Sequence, residues 1–146
     1  MLTCALSVIL ALITLGSADE LKLPTLTEIL NPPGTPQLTP CTCGVFLSGQ
    51  FNRTSPVQGN PVLMNEHDEH FTCNRVGDKQ CINKCLDVLL KHLSNSPAII
   101  CGAMDRDCNK ERAYLFYKHC SDKWVNSNLS AGREYCCKDG NPIKCS

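Results

Sequence analysis

Cysteine is the residue type best placed to do chemistry in this chain. Twelve cysteines occur among 146 residues. One, Cys4, lies in an apolar leader. The other eleven are Cys41, Cys43, Cys73, Cys81, Cys85, Cys101, Cys108, Cys120, Cys136, Cys137 and Cys145. Such density belongs to oxidising compartments, where small domains use disulfides to hold what a modest core cannot. No close CxxC pair occurs, so neither a thioredoxin-like redox site nor a paired-CxxC zinc site is suggested. All eleven are therefore disulfide candidates. Their connectivity is open, because the number of possible pairings is on the order of ten thousand. Eleven is odd, so five bonds leave one thiol, expected either to cross-link chains or to stay buried.

Other reactive residues are sparse. His67 and His70, with Glu66, Asp68 and Glu69, have the residue types of a metal site. Nothing fixes a helix there, and a solvated acidic turn is the expected form. His119 beside Cys120 suggests a Cys–His pair, but in an oxidising compartment Cys120 is expected in a disulfide. There is no GxSxG or HExxH motif. No catalytic residue, cofactor or metal is expected, so the chain is read as a non-enzyme.

Two segments would position the cysteines. From Asp78 to Ser94, at 100° per residue, Cys81, Ile82, Cys85, Leu86, Val88, Leu89, Leu90 and Leu93 fall on one arc, as in an amphipathic helix. Cys81 and Cys85 stand one turn apart and can face the same neighbouring segment. Pro97 is expected to enforce the helix end. From Asn109 to Trp124, the residues Ala113, Phe116, Tyr117, Cys120 and Trp124 recur as on one face of a second helix. Its aromatic face is expected to meet the leucines of the first as core. Val45 to Ser48 alternates as a short strand, and Cys41 and Cys43 would share one face of it. Adjacent Cys136 and Cys137 should clamp different segments, because their Cβ vectors diverge. The expected fold is mainly α with a short β element, a small disulfide-rich secreted domain on two amphipathic helices at about 78–94 and 109–124.

The apolar run from about Leu6 to Leu15, followed by Gly16-Ser17-Ala18, reads as a signal peptide (residues 1–18) cleaved after Ala18. It is too short for a membrane span, which needs about 20 residues. Residues 19–40 read as a proline-rich linker, and 41–146 as one cysteine-rich globular domain. The formal net charge is zero. Basic residues gather mildly toward the C-terminal half but alternate with acids, unlike a nucleic-acid patch. No nucleic-acid partner is expected, nor a membrane after leader cleavage. Asn52-Arg53-Thr54 and Asn128-Leu129-Ser130 are N-glycosylation sequons.

Three blocks, PCTCGVFLSGQF, KQCINKCLDVLLKHL and KERAYLFYKHC…NLSAGREYCCKDGNPIKC, together resemble the insect follicle cell protein 3C family. Members are secreted cysteine-rich proteins associated with the ovarian follicle cells that lay down the eggshell. The resemblance covers about Pro40 to Cys145. It implies a secreted, extracellular structural or interaction protein of the vitelline membrane, the chorion or a matrix more broadly. Its partners would be other matrix or eggshell proteins, with an intermolecular disulfide among the options. It implies no catalytic residue. Insect odorant-binding proteins are the alternative, because Cys81/Cys85 and Cys136/Cys145 match their C-x3-C and C-x8-C spacings. That would imply a soluble carrier of small hydrophobic ligands, with a cavity against Phe116, Tyr117 and Trp124. Cys41, Cys43 and Cys73 do not fit the remaining pattern, and Cys101, Cys108 and Cys137 are extra.

Overall fold

The computed structural model describes Thr25, Leu26, Ile29, residues 34–52 and residues 55–146. The leader expected at 1–18 lies outside these, as does part of the 19–40 stretch. The chain divides into residues 1–35 and 36–146. In the first unit the Ile29 amide donates to Thr25 O at 3.0 Å, closing one helical turn. The second unit carries the cysteines discussed below.

That unit is organised by a sheet. Strands β1 (Leu38–Leu47), β2 (Leu63–Thr72), β3 (Cys108–Lys118), β4 (Val125–Lys138) and β5 (Asn141–Pro142) form one five-stranded sheet in the order β2-β1-β3-β4-β5. Every pairing is antiparallel. Two helices join it, α1 (Arg75–Lys91) and α2 (Ser96–Ala103). The mainly α expectation is thus overturned, and strand residues outnumber helical ones.

The decisive correction is residues 109–124, expected as a helix and found as β3 and the loop after it. The cause is burial on both faces. β3 lies in the centre of the sheet, and Ala113, Leu115 and Tyr117 face one side while Tyr114 and Phe116 face the other. A strand covered on both sides reads as a continuous apolar run, so its period of two is masked. Phe116 and Tyr117 therefore do not share a face.

The first helix is present, shifted toward the N-terminus. Asn74 caps it, its side-chain oxygen accepting from the Val76 and Gly77 amides at 2.9 and 3.0 Å. It ends at Lys91, well before Pro97. Pro97 instead opens α2, where its fixed φ suits the first turn. Gly77 is required where α1 starts. A Cβ there would lie 1.8 Å from Thr72 O.

The helices cover one face of the sheet. Cys41, Cys43, Val45 and Leu47 of β1 project there, beside Tyr117, Leu115 and Ala113 of β3. Cys81 and Cys85 meet them from α1, while Ile100 and Cys101 come from α2. Much of this core is sulfur rather than large side chains. The opposite face holds an aromatic cluster. Phe46 packs edge-to-face on Phe116 (5.0 Å) and Trp124 (5.3 Å), and Phe51 on Phe116 and Tyr114 (both 5.1 Å). Gly44 admits the Trp124 ring, which would lie 2.7 Å from any Cβ at that position. The expected contact of α1 leucines with Phe116 and Trp124 is therefore replaced. Those aromatics lie across the sheet from α1, and only Tyr117 joins the core beside it.

The HDEH segment is an edge strand rather than a turn. Pro40 pairs with His70 but Cys41 with His67, so Asp68 and Glu69 bulge out of the ladder. Proline has no amide to donate, which suits this break. Charged side chains and a bulge also guard an edge strand against adventitious pairing. Among the described residues no helix is long and apolar enough to cross a membrane.

Candidate functional site

The disulfide framework follows from two matched spacings. Residues two apart on a strand are separated by about 6.8 Å, and residues four apart on a helix rise about 6 Å. Cys41 and Cys43 on β1 can therefore bond in parallel to Cys81 and Cys85 on α1, and they do. The two bridges touch, with Cys41 Sγ 3.8 Å from Cys85 Sγ. All four cysteines are buried. On β4, successive residues point to opposite faces. Cys137 bonds to Cys101 on α2, and Cys136 bonds to Cys145 in the tail. The fifth bridge, Cys73–Cys120, joins the residue before the α1 cap to the loop after β3.

Among the described residues Cys108 is the cysteine left free, and it is buried. Its thiol lies 3.5 Å from Tyr135 O, which accepts from it. Burial pushes its pKa up, only partly offset by a backbone hydrogen bond at Cys137. An uncharged, enclosed thiol is a poor nucleophile.

The chemically densest corner surrounds the fifth bridge. His119 is buried and its side chain is inaccessible. Nδ1 lies 2.9 Å from Asp78 Oδ1, and Nε2 lies 3.3 Å from Phe71 O. Nδ1 is also 3.3 Å from Cys120 Sγ. Thr39 Oγ1 approaches the same sulfur at 3.7 Å. Cys120 has φ 62°, the left-handed region. Nearby Tyr117 is buried, which pushes its phenol pKa up, and the Asp78 carboxylate adds to this. His119 beside Cys120 is legible in the sequence. Asp78, forty-one positions away, carried no signal.

The two β2 histidines do not converge. His67 lies near the Cys43–Cys85 bridge with Nε2 buried and lacking a hydrogen-bond partner. His70 is exposed, and its Nδ1 lies 3.0 Å from Asp68 O. Glu69 pairs instead with Lys84 of α1 at 2.7 Å, both exposed. Glu111 was not singled out by sequence. Its carboxylate accepts from Arg106 and from the Gly49 amide at 3.0 Å, joining β3 to two loops. The Arg106 hydrogen bond holds its pKa below the ordinary glutamate value, against an opposing push from burial.

Clefts lie on both sides of the sheet. An apolar one of about 200 Å³ is lined by Leu86, Leu89, Leu93, Ile99, Leu129 and Tyr135. Another of about 660 Å³ lies on the aromatic side, where Phe51, Tyr114, Phe116 and Trp124 meet Asn52 and Asn128. Both sequon asparagines are exposed and border this cleft. Arg53 and Thr54 of the first sequon lie outside the described residues. Asn128 has φ 63° and sits where β4 bulges between its pairings to Leu115 and Phe116.

Comparison with known proteins adds identity to this geometry. The sequence model described as the Follicle cell protein 3C C-terminal domain matches residues 31–146. Follicle cell protein 3C-1 of Drosophila melanogaster is 53% identical over 109 residues. The match covers 75% of this chain and 38% of that protein, so the chain spans well under half the length of this curated relative. No solved structure matches the chain.

Proposed function

Because the chain belongs to the follicle cell protein 3C family, we propose that it is a secreted, non-enzymatic protein built into an extracellular matrix, in particular the insect eggshell. The observation that carries this reading is the disulfide framework. Five bridges tie α1 to β1, α2 and the tail to β4, and the start of α1 to the end of β3. Such bonds persist in oxidising, extracellular surroundings. Each adds roughly 2–4 kcal/mol by constraining the unfolded chain. A domain so held is suited to lasting service outside the cell. Its partners in this reading are other matrix proteins, met through its exposed surfaces. Localisation by antibody in ovary and laid eggs, with extraction in the presence and absence of reductant, tests the proposal. The expected result is protein in the eggshell layers that needs reductant for release. Freely soluble protein in haemolymph with none in ovary would sink it.

The apolar cleft favours a second reading, a carrier of a small hydrophobic ligand. Its volume of about 200 Å³ falls short of the roughly 300–1,000 Å³ usual for such sites, while the cleft of about 660 Å³ that Phe116 and Trp124 line lacks Tyr117 and is bordered by Asn52, Ser55, Asn126 and Asn128. Titration with an apolar fluorescent probe separates the two readings. Saturable one-to-one binding abolished by Leu89→Trp supports a carrier, and no saturable binding rejects it.

A further inference from the structure

The odd thiol is enclosed, so cross-linking to a neighbour would have to start elsewhere. Among the described residues, Cys73–Cys120 is the one disulfide with both cysteines exposed. The β1–α1 pairs and Cys101–Cys137 are buried at both ends, and Cys136–Cys145 is buried at one. It is also the bridge with an imidazole nitrogen at 3.3 Å from a sulfur. From this we propose that Cys73–Cys120 is an exchangeable disulfide, through which a thiolate of another matrix protein becomes covalently joined to this chain. The proposal rests on the matrix reading and names the bond through which incorporation would occur.

The step is a thiol–disulfide exchange and needs no oxidant. The partner cysteine loses its proton to solvent and attacks Cys73 Sγ. A new S–S bond forms between the partner and Cys73, while the Cys73–Cys120 bond breaks. Cys120 leaves as a thiolate and then takes a proton from solvent. Two features set this direction. Cys120 departs beside His119, whose Nδ1 lies within reach of both Asp78 and the sulfur. A hydrogen bond to the developing thiolate makes it a better leaving group. Cys120 also has room to turn away. A shallow hollow of about 270 Å³ lies beside it, with Thr39, Thr42, Lys118 and His119 in its wall. The other four bridges keep both helices and the tail fixed to the sheet while the fifth is open.

The test uses the full secreted protein with glutathione as the thiol probe, under native conditions. Free thiols are then alkylated, and unreduced peptides are mapped by mass spectrometry. The expected first product carries glutathione on Cys73 and an alkyl group on Cys120, with the other four bridges intact. First attack at Cys136 or Cys145, a dominant adduct on Cys120, or loss of all five bridges together would each overturn it. His119 is a positioning residue in this scheme. His119→Asn should slow the exchange about tenfold and bring the ratio of Cys73 to Cys120 adducts toward one. An unchanged ratio in a folded variant removes His119 from the scheme. Should the variant fail to fold, the wild-type map still decides. This experiment is independent of tissue, so its failure leaves the eggshell reading standing, and absence from eggshell leaves the exchange chemistry standing.

Discussion

Cys108 and Cys137 stand opposite each other across β3 and β4, one a free thiol and the other already bonded to Cys101. Burial raises the Cys108 pKa and closes off its sulfur. The chain from Asp19 onward is therefore expected to show no reactive thiol toward a disulfide reagent in its native state. One should titrate after unfolding without reductant. A thiol that titrates in the folded protein at the rate of a free peptide cysteine contradicts this.

Facing Cys137 across the strands, Cys108 is placed to compete with Cys101 for it while the bonds are forming. Cys108→Ala removes one sulfur from a packed site, at a cost of about 1 kcal/mol. It should nonetheless raise the yield of correctly bridged protein from the reduced, denatured chain. Chromatography of refolding mixtures gives the count of isomers, and an unchanged distribution speaks against the competition.

Two glycines in helices should respond to alanine with opposite signs. Alanine normally stabilises a helix interior by up to about 1 kcal/mol over glycine. Gly102 in α2 has open space where a Cβ would go, so Gly102→Ala should stabilise by roughly 0.5–1 kcal/mol. At Gly77 a Cβ would fall 1.8 Å from Thr72 O, a backbone atom. Gly77→Ala should therefore destabilise by about 2–3 kcal/mol. Urea midpoints of both variants with all bridges intact measure the difference.

Glu111 gives the fold an acid-sensitive tie. Its pKa in the folded state is lowered, chiefly by Arg106, relative to the unfolded value of about 4.3. A carboxylate depressed on folding contributes its full stability above the unfolded pKa. That contribution is lost as pH falls through the folded pKa. The Arg106 side chain is 45% exposed and that of Glu111 13%, so the pair is partly screened. Glu111→Gln should cost about 1 kcal/mol at neutral pH and flatten the loss of stability below about pH 4.3. Parallel urea titrations of both proteins between neutral and acid pH would reveal any such flattening.

Asn52 and Asn128 border one cleft on the aromatic face, so glycans there would crowd the same side of the sheet. Expression in a secreting insect cell line should give two peptide N-glycosidase-sensitive modifications. Asn128→Gln and Asn52→Gln should each remove one. A mass unaffected by the glycosidase argues against both.

The legible parts of this fold are those with one clean period. Cys81, Cys85, Leu86 and Leu89 repeat as a helix should, and α1 is there. The CTCGVFLSGQF block shows strand alternation, and β1 takes in its first seven residues, Cys41 to Leu47, before a 3-10 turn at Ser48–Gln50. The missed parts each hide their period for a physical reason. In β3 the run AYLFY is apolar on both faces, and its aromatic content was the available hint of strand. In β4 two bulges break alternation around Asn128 and between Arg112 and Tyr114 of its partner strand. In β2 the acidic edge carries almost no buried face. α2 is a short helix inside the apolar stretch SPAIICGA, where length gives no help. At the His119 corner, the His119-Cys120 dipeptide is visible in the chain. Asp78 and Cys73 reach it only because α1 starts where β2 ends.

The parallel pair of bridges between β1 and α1 has a mechanical consequence. Suppose this domain sits in a sheet of protein under tension, gripped at Cys41 and at Cys145. The covalent route between them does not follow the whole chain. It passes from Cys41 to Cys43, crosses to Cys85, runs to Cys101, crosses to Cys137, steps to Cys136 and crosses to Cys145. That is about 19 peptide units and three bridges, or roughly 80 Å fully drawn out, where the unbridged chain would stretch to roughly 360 Å. Even with every hydrogen bond torn, the domain could not be drawn past that limit. It would act as a strap of bounded length, and swelling in one dimension would be stopped by covalent bonds.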